Sequence, residues 1–251
     1  MAETVAPTGS RSLLLVLSAL AFMTAVLVLE RPGLMAQAGL GLATAGFLWF
    51  FVRKAGLNPR QILTTIAIAS VGEVVLSMGW GLYTYKNALI PLYVPPGHAV
   101  FYALAVVTAR ERKLQTHATA ITRTVLLFGS LYAAASLVFF HDTWGALWWL
   151  VACVLIVRSE NQLLLASCVV YTLLLEWVGT AIGNWRWLPE VPYLSVNSAN
   201  PPAGVTVLYI LLDLIVVAVC SKLWGEGRSE GDALHEREGA SVVPSLEESG
   251  G

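Results

Sequence analysis

Apolar residues run almost unbroken through eight stretches of this chain, at about 12–29, 34–52, 62–82, 97–109, 124–140, 144–157, 163–183 and 204–224. Crossing a hydrocarbon core of ~30 Å takes roughly 20 helical residues. Most of the runs meet that length, and the fourth and sixth are short. Backbone polar groups in lipid must be satisfied within the segment, and the alternating pattern of a membrane barrel is absent. The pattern predicts an all-α integral membrane protein with about eight transmembrane helices. The first run follows Arg11 and resembles a signal peptide, with Ala36-Gln37-Ala38 as a stand-in cleavage site. A second span follows almost at once, so the first run is read as a retained helix.

Basic residues give the orientation. If all eight runs span, Arg11, Arg53, Lys54, Arg60, Arg110, Arg112, Lys113, Arg123, Arg158, Lys222 and Arg228 fall on one side. Arg31, Lys86 and Arg186 fall on the other. Both termini are therefore expected in the cytoplasm: residues 1–11 as a short N-terminus, 110–123 as a basic linker, and 225–251 as a tail. That tail is rich in Gly, Ser and Glu without apolar periodicity, the composition of a disordered acidic segment.

Self-similarity divides the spans further. Ser77, Gly81, Tyr83 and Tyr85 map onto Gly179, Gly183, Trp185 and Trp187 at one constant offset. Glu73 and Glu176 fall one residue out of that register. Pro95-Pro96 and Tyr102 recur as Pro201-Pro202 and Tyr209, and Arg53 and Gln61 as Arg158 and Gln162. The reading is two parallel four-helix repeats, 12–109 and 124–224, related by an axis along the membrane normal.

Composition narrows the chemistry. The chain is 57% hydrophobic and 12% charged, with a mean hydropathy of +0.69, so lipid is its expected solvent. A formal net charge of −1 gives no reason to expect nucleic acid. Cys153, Cys168 and Cys220 all lie inside apolar runs and read as packing residues. P-loop, dinucleotide, HExxH and serine-elbow motifs are missing, as are histidine boxes. No cofactor is expected, and no metal is assigned, because the acids and histidines lack a ligand spacing.

Four ionisable residues stand out as catalytic candidates: Glu73, Glu176, Asp213 and His98. Intramembrane acids usually face a bundle interior or a cavity. A dry environment favours the protonated form of a carboxyl group, which suits a general acid or proton carrier. Ser77/Gly81 and Gly179/Gly183 form small-residue pairs on the face of the acids. They predict that the third and seventh runs pack together along a close seam. Trp80, Tyr83, Tyr85, Trp177, Trp185 and Trp187 read either as an interfacial belt or as the lining of a binding site able to stabilise a cation. The Pro-Pro pairs are expected to open the fourth and eighth helices, with Asn200 as an N-cap and a candidate ligand contact. His141 and Asp142 are expected on the surface of a tight turn.

Glu73 followed by Gly81-Leu82-Tyr83-Thr84-Tyr85, Pro91 and Val94-Pro95 resembles a pattern in bacterial carotenoid-biosynthesis membrane proteins of the carotenoid hydratase and small lycopene cyclase type. Glu176 with Gly183-Asn184-Trp185-Arg186-Trp187 is a second partial match. Met78-Gly79-Trp80-Gly81 stands where those proteins carry Pro-Phe-Gly, and the acidic motif of the cyclases is absent. The resemblance implies a bacterial inner-membrane enzyme whose isoprenoid substrate is protonated at a double bond by a buried carboxylic acid. The alternatives are a proton- or ion-coupled transporter, for which parallel repeats and midplane acids are equally natural, and an assembly subunit whose acids only pin helices. Membrane lipids and the isoprenoid are the expected partners.

Overall fold

The computed structural model describes residues 9–225; the predicted acidic tail and the first residues of the N-terminus lie outside that range. Each of the eight apolar runs is helical. The helices are α1 (Ser10–Val28), α2 (Leu34–Ala55), α3 (Pro59–Glu73, continued by a π-helix over Val74–Trp80), α4 (Val94–Ala109), α6 (Ala118–Phe140), α7 (Thr143–Arg158), α8 (Gln162–Ala181) and α9 (Thr206–Trp224). A four-residue helix, α5 (Arg112–Gln115), lies in the basic linker. Four short strands complete the order: β1 (Tyr83–Tyr85), β2 (Trp185–Trp187), β3 (Glu190–Val191) and β4 (Val196–Asn197). Six helices, counting α3 with its π-helix as one, are long and apolar enough to cross a membrane; α4 and α7 have 16 residues each.

Local chemistry sets the boundaries. Gly56 ends α2 in a left-handed conformation, and Asn58 caps α3 by accepting from the backbone N–H of Arg60 at 3.0 Å, with Pro59 as the first helical residue. Asp142 does the same for α7 through the N–H of Gly145, 2.9 Å away.

The position of Asp142 corrects the surface expectation. It is fully buried. One carboxylate oxygen takes the N–H groups of Gly145 and Ala199; the other takes the N–H of Ala203 and the hydroxyl of Ser136. So polar a side chain can be buried there because donors surround it. His141 is exposed as expected.

Helix α4 is the hub. It is buried along nearly its whole length and packs against α1, α2, α3 and α8. Helix α3 packs on α4 and α9, while α8 packs on α4, α6 and α9. The predicted seam is therefore not made: α3 and α8 do not pack along each other, and α4 and α9 carry the joint between the halves. Outward faces are apolar, with Leu14, Leu42 and Phe139 among the exposed residues.

Candidate functional site

At corresponding places in the two halves the chain folds back on itself. Gly81 after the π-helix and Gly183 after α8 have φ of 78° and 79°, a conformation that costs glycine little. Each turn sends a three-residue strand back over the helix end. The strands β1 and β2 then pair antiparallel, Tyr83 opposite Trp187, Thr84 opposite Arg186 and Tyr85 opposite Trp185. Successive side chains alternate across the ribbon. Thr84 and Arg186 face outward, and the four aromatic rings face inward and are buried.

Those rings land on the two acids. Tyr83 and Tyr85 donate their hydroxyls to Oε2 of Glu73, at 2.8 and 2.7 Å. Trp185 and Trp187 donate their indole N–H groups to Oε2 of Glu176, at 2.9 and 3.0 Å. Both acids are 5% exposed. Burial first, and then the neighbouring Glu73, pushes the Tyr83 and Tyr85 phenols well above their ordinary value, so both remain donors.

His98 completes the first site. Its Nδ1 lies 2.9 Å from the carbonyl oxygen of Val94, and its Nε2 lies 3.3 Å from Oε1 of Glu73. With the Nδ1 proton donated to Val94, the hydrogen-bond pattern assigns the other nitrogen to Glu73, and the pair can share one proton. Tyr209 stacks on the imidazole, with ring centroids 5.0 Å apart and planes 11° from parallel.

The acid-to-aromatic spacing differs by one residue between the halves, and the helix geometry absorbs the difference. Glu73 and Tyr83 are 10 residues apart, Glu176 and Trp185 are 9. A π-helix uses more residues per turn than an α-helix. The π-helical stretch Val74–Trp80 takes up the additional residue, where α8 stays α-helical to Ala181. Gly179 has a local role of its own. A Cβ there would lie 1.9 Å from the Trp185 ring, so glycine makes room for the indole that reaches Glu176.

Both acids and His98 line a cavity of about 370 Å³ whose other walls are mostly apolar. Tyr83, Tyr85, Trp185 and Trp187 line it as well. The remaining sequence candidates lie elsewhere. Trp80 donates its N–H to the carbonyl of Pro192, and Trp177, exposed, donates to the Tyr132 hydroxyl. Asp213 is buried in α9 but is not on the cavity wall. Nor does Asn200 cap α9, which begins at Thr206; its side chain accepts from the backbone N–H of Trp187 and so pins β2. Pro95 falls in the first turn of α4 as expected, whereas Pro201-Pro202 precede α9 by several residues. Among the described residues no three His, Cys, Asp or Glu side chains converge as metal ligands would.

Sequence reading did not single out two tyrosines of the wall. Tyr209 was legible only as a repeat marker. Tyr93 lines the cavity while its hydroxyl donates to buried Glu30 at 2.5 Å, and a glutamate at the end of an apolar run gives no warning of that partner. No family model matches the chain, and neither a curated protein nor a solved structure is significantly similar to it.

Proposed function

We propose that this chain is an integral membrane enzyme acting by acid–base chemistry on an apolar lipid of isoprenoid type. On this reading eight helices span the cell membrane, a bacterial inner membrane, as two parallel four-helix repeats with both termini cytoplasmic. The matched fold-back turns, the two-fold pairing of the ribbon and the reciprocal packing of α3 on α9 and α4 on α8 support the repeat. Helices α4 and α7 are short for a span of ~30 Å, a mismatch that local thinning of the bilayer accommodates.

The observation that carries the reading is where the acids sit: on the wall of a mostly apolar cavity that reaches exposed apolar residues at its edge. The lining passes from buried residues to Val71, Val75 and Ile215, which are 64%, 53% and 46% exposed and lie on α3, its π-helix and α9. An apolar substrate dissolved in the bilayer enters between those helices without meeting water. Glu73 then gives its proton to a carbon–carbon double bond: the π electrons form the new C–H bond, and the adjacent carbon becomes cationic. The proton given up is the one Glu73 shares with Nε2 of His98, and the imidazole is the relay through which Glu73 is reprotonated after turnover. Glu176, held by two N–H donors, faces the positive charge together with the Tyr83 and Trp187 rings. The cation is discharged when the Glu176 carboxylate takes a neighbouring proton and the C–H electron pair becomes the new double bond, or when water adds and passes its proton to Glu176.

The test compares total lipid and pigment extracts by mass spectrometry. It uses a deletion strain, its wild-type complement, and a complement carrying Glu73→Gln and Glu176→Gln at equal expression. One species should vanish, and its precursor accumulate, in both the deletion and the double variant. Three identical extracts would sink the enzyme reading and turn attention to proton-coupled flux in proteoliposomes.

A further inference from the structure

One buried acid plays no part in the chemistry above. Glu30, between α1 and α2, is 5% exposed, while Leu29 and Arg31 on either side of it are exposed. It lies at the ribbon end of the bundle. Asn87, two residues past β1, brings its amide within 3.4 Å of Glu30 Oε1. Asn184, just before β2, donates to the carbonyl of Leu27 at 2.8 Å and so fastens the end of α1 to the same ribbon. Glu30 is not on the cavity wall, but Met23 and Leu27 of the preceding helix are, and so is Tyr93. Tyr83 and Tyr85 give their hydroxyls to Glu73 inside the site, whereas Tyr93, itself buried, sends its hydroxyl to Glu30 Oε2 at 2.5 Å. One tyrosine thus separates a carboxyl just under the surface from the cavity that holds Glu73 and His98.

We propose that Glu30 and Tyr93 form a proton entry to the cavity, linking water at the ribbon end to the His98–Glu73 pair. The need for one rests on the enzyme reading: each turnover takes a proton from Glu73 and leaves one on Glu176, and mostly apolar walls give a proton few ways through. Asp, Glu and His side chains at bilayer depth are the usual stations of proton relays, and a phenol can both donate and accept. Glu30 first takes a proton from outside on its carboxylate. The Tyr93 hydroxyl, no longer held by a charged acceptor, turns toward the cavity and passes its own proton inward while its oxygen takes the proton from Glu30. The phenol emerges neutral and Glu30 ionised, ready for the next proton. A cavity of about 370 Å³ has room for a short file of water between Tyr93 and Nε2 of His98. A mere tie between α1 and α4 would not need an ionisable group, since glutamine accepts the same hydroxyl without a charge to desolvate.

Hydrogen–deuterium exchange followed by infrared spectroscopy tests this without substrate. Protein in lipid nanodiscs is mixed rapidly into heavy water, and the exchange-sensitive bands that Glu73→Gln removes report the arrival of a deuteron at the His98–Glu73 pair. Backbone amide exchange in the same spectra reports the state of the fold. Glu30→Gln keeps an acceptor for Tyr93 but cannot carry a proton. It should slow those bands about 100-fold, the low end of what a positioned acid–base group contributes to proton transfer, with amide exchange unchanged. Tyr93→Phe should slow them as much, and if that variant fails to fold, Glu30→Gln decides alone. Wild-type rates in Glu30→Gln would leave Glu30 as a tie between helices and overturn the entry, as would band and amide exchange that change together. If exchange depends on Glu30 while the extract comparison shows no lost product, the enzyme reading fails and the proton entry stands. If product formation depends on Glu73 while exchange ignores Glu30, only the entry fails.

Discussion

Replacing Gly179 with alanine separates two accounts of the same small residue. If Gly179 served a helix–helix seam, its cost on substitution would be independent of Trp185. The structure instead places the new methyl group 1.9 Å from that indole. Forcing an extra carbon into a packed site costs about 1–3 kcal/mol. Displacing the ring also breaks its hydrogen bond to Glu176, worth about 1 kcal/mol or somewhat more when the acceptor is ionised. A loss of about 2–4 kcal/mol is expected. With Trp185 replaced by leucine the obstruction is gone, and alanine in a helix is preferred over glycine by roughly 0.5–1 kcal/mol. Gly179→Ala should then be neutral or stabilising. The two effects differ by about 3 kcal/mol, the coupling seen between residues in direct contact. Reversible unfolding in mixed micelles of the wild type, the two single variants and the double variant measures it. Equal costs of Gly179→Ala in both backgrounds would refute the role assigned to the glycine.

Other outcomes follow from the same geometry. Asp142→Ala strands three backbone N–H groups and the Ser136 hydroxyl in a buried site; at about 1–3 kcal/mol for each orphaned donor it should be among the most destabilising single changes. Asp142→Asn keeps one carbonyl oxygen for Gly145 and Ala199 but turns an amide N–H toward Ala203, and should cost roughly the value of one such donor, read as a smaller drop in melting temperature. Stability should also fall as pH rises above about 10, because the unfolded phenols ionise there while Tyr83 and Tyr85 hold their protons; Tyr83→Phe with Tyr85→Phe should flatten that alkaline slope in a pH series of unfolding curves. Deleting Met78 from the π-helix should be tolerated far better than deleting Val178 from α8, since only the π-helix has a residue to release in returning to α-helical winding. Parallel thermal-shift curves check that comparison, and equal losses would count against it.

Helix positions were legible because lipid-length apolar runs tolerate little ambiguity, and the acids because charge inside such runs is rare. The paired motifs carrying Tyr83, Tyr85, Trp185 and Trp187 were legible as corresponding segments. Their pairing across the halves was not, since three-residue strands carry too little alternation to be recognised. The small residues misled for a physical reason: spacing by four is shared by a close helix seam and by a turn that must let a ring pass. Asp142 misled because a His-Asp pair between two apolar runs reads as solvated, and its donors come from distant backbone at Ala199 and Ala203. The π-helix left a faint trace, the single-residue slip between Glu73 and Glu176 against an otherwise constant offset.

The ribbon also dictates an order of biosynthesis. Its bonds join residues far apart along the chain: Lys86 to the carbonyl of Asn184, Leu188 to that of Leu82. Closing so long a loop is entropically unfavourable until both ends are held near each other. As the chain leaves the ribosome, Glu73 and its two tyrosines emerge well before β2 exists to pair with β1. The nascent first half therefore waits with its acid only half enclosed, and β2, made much later, completes the roof over both carboxylates. A chain truncated before Trp185 would keep Glu73, Tyr83 and Tyr85 yet present them in an open trough, without the strand that pairs over them.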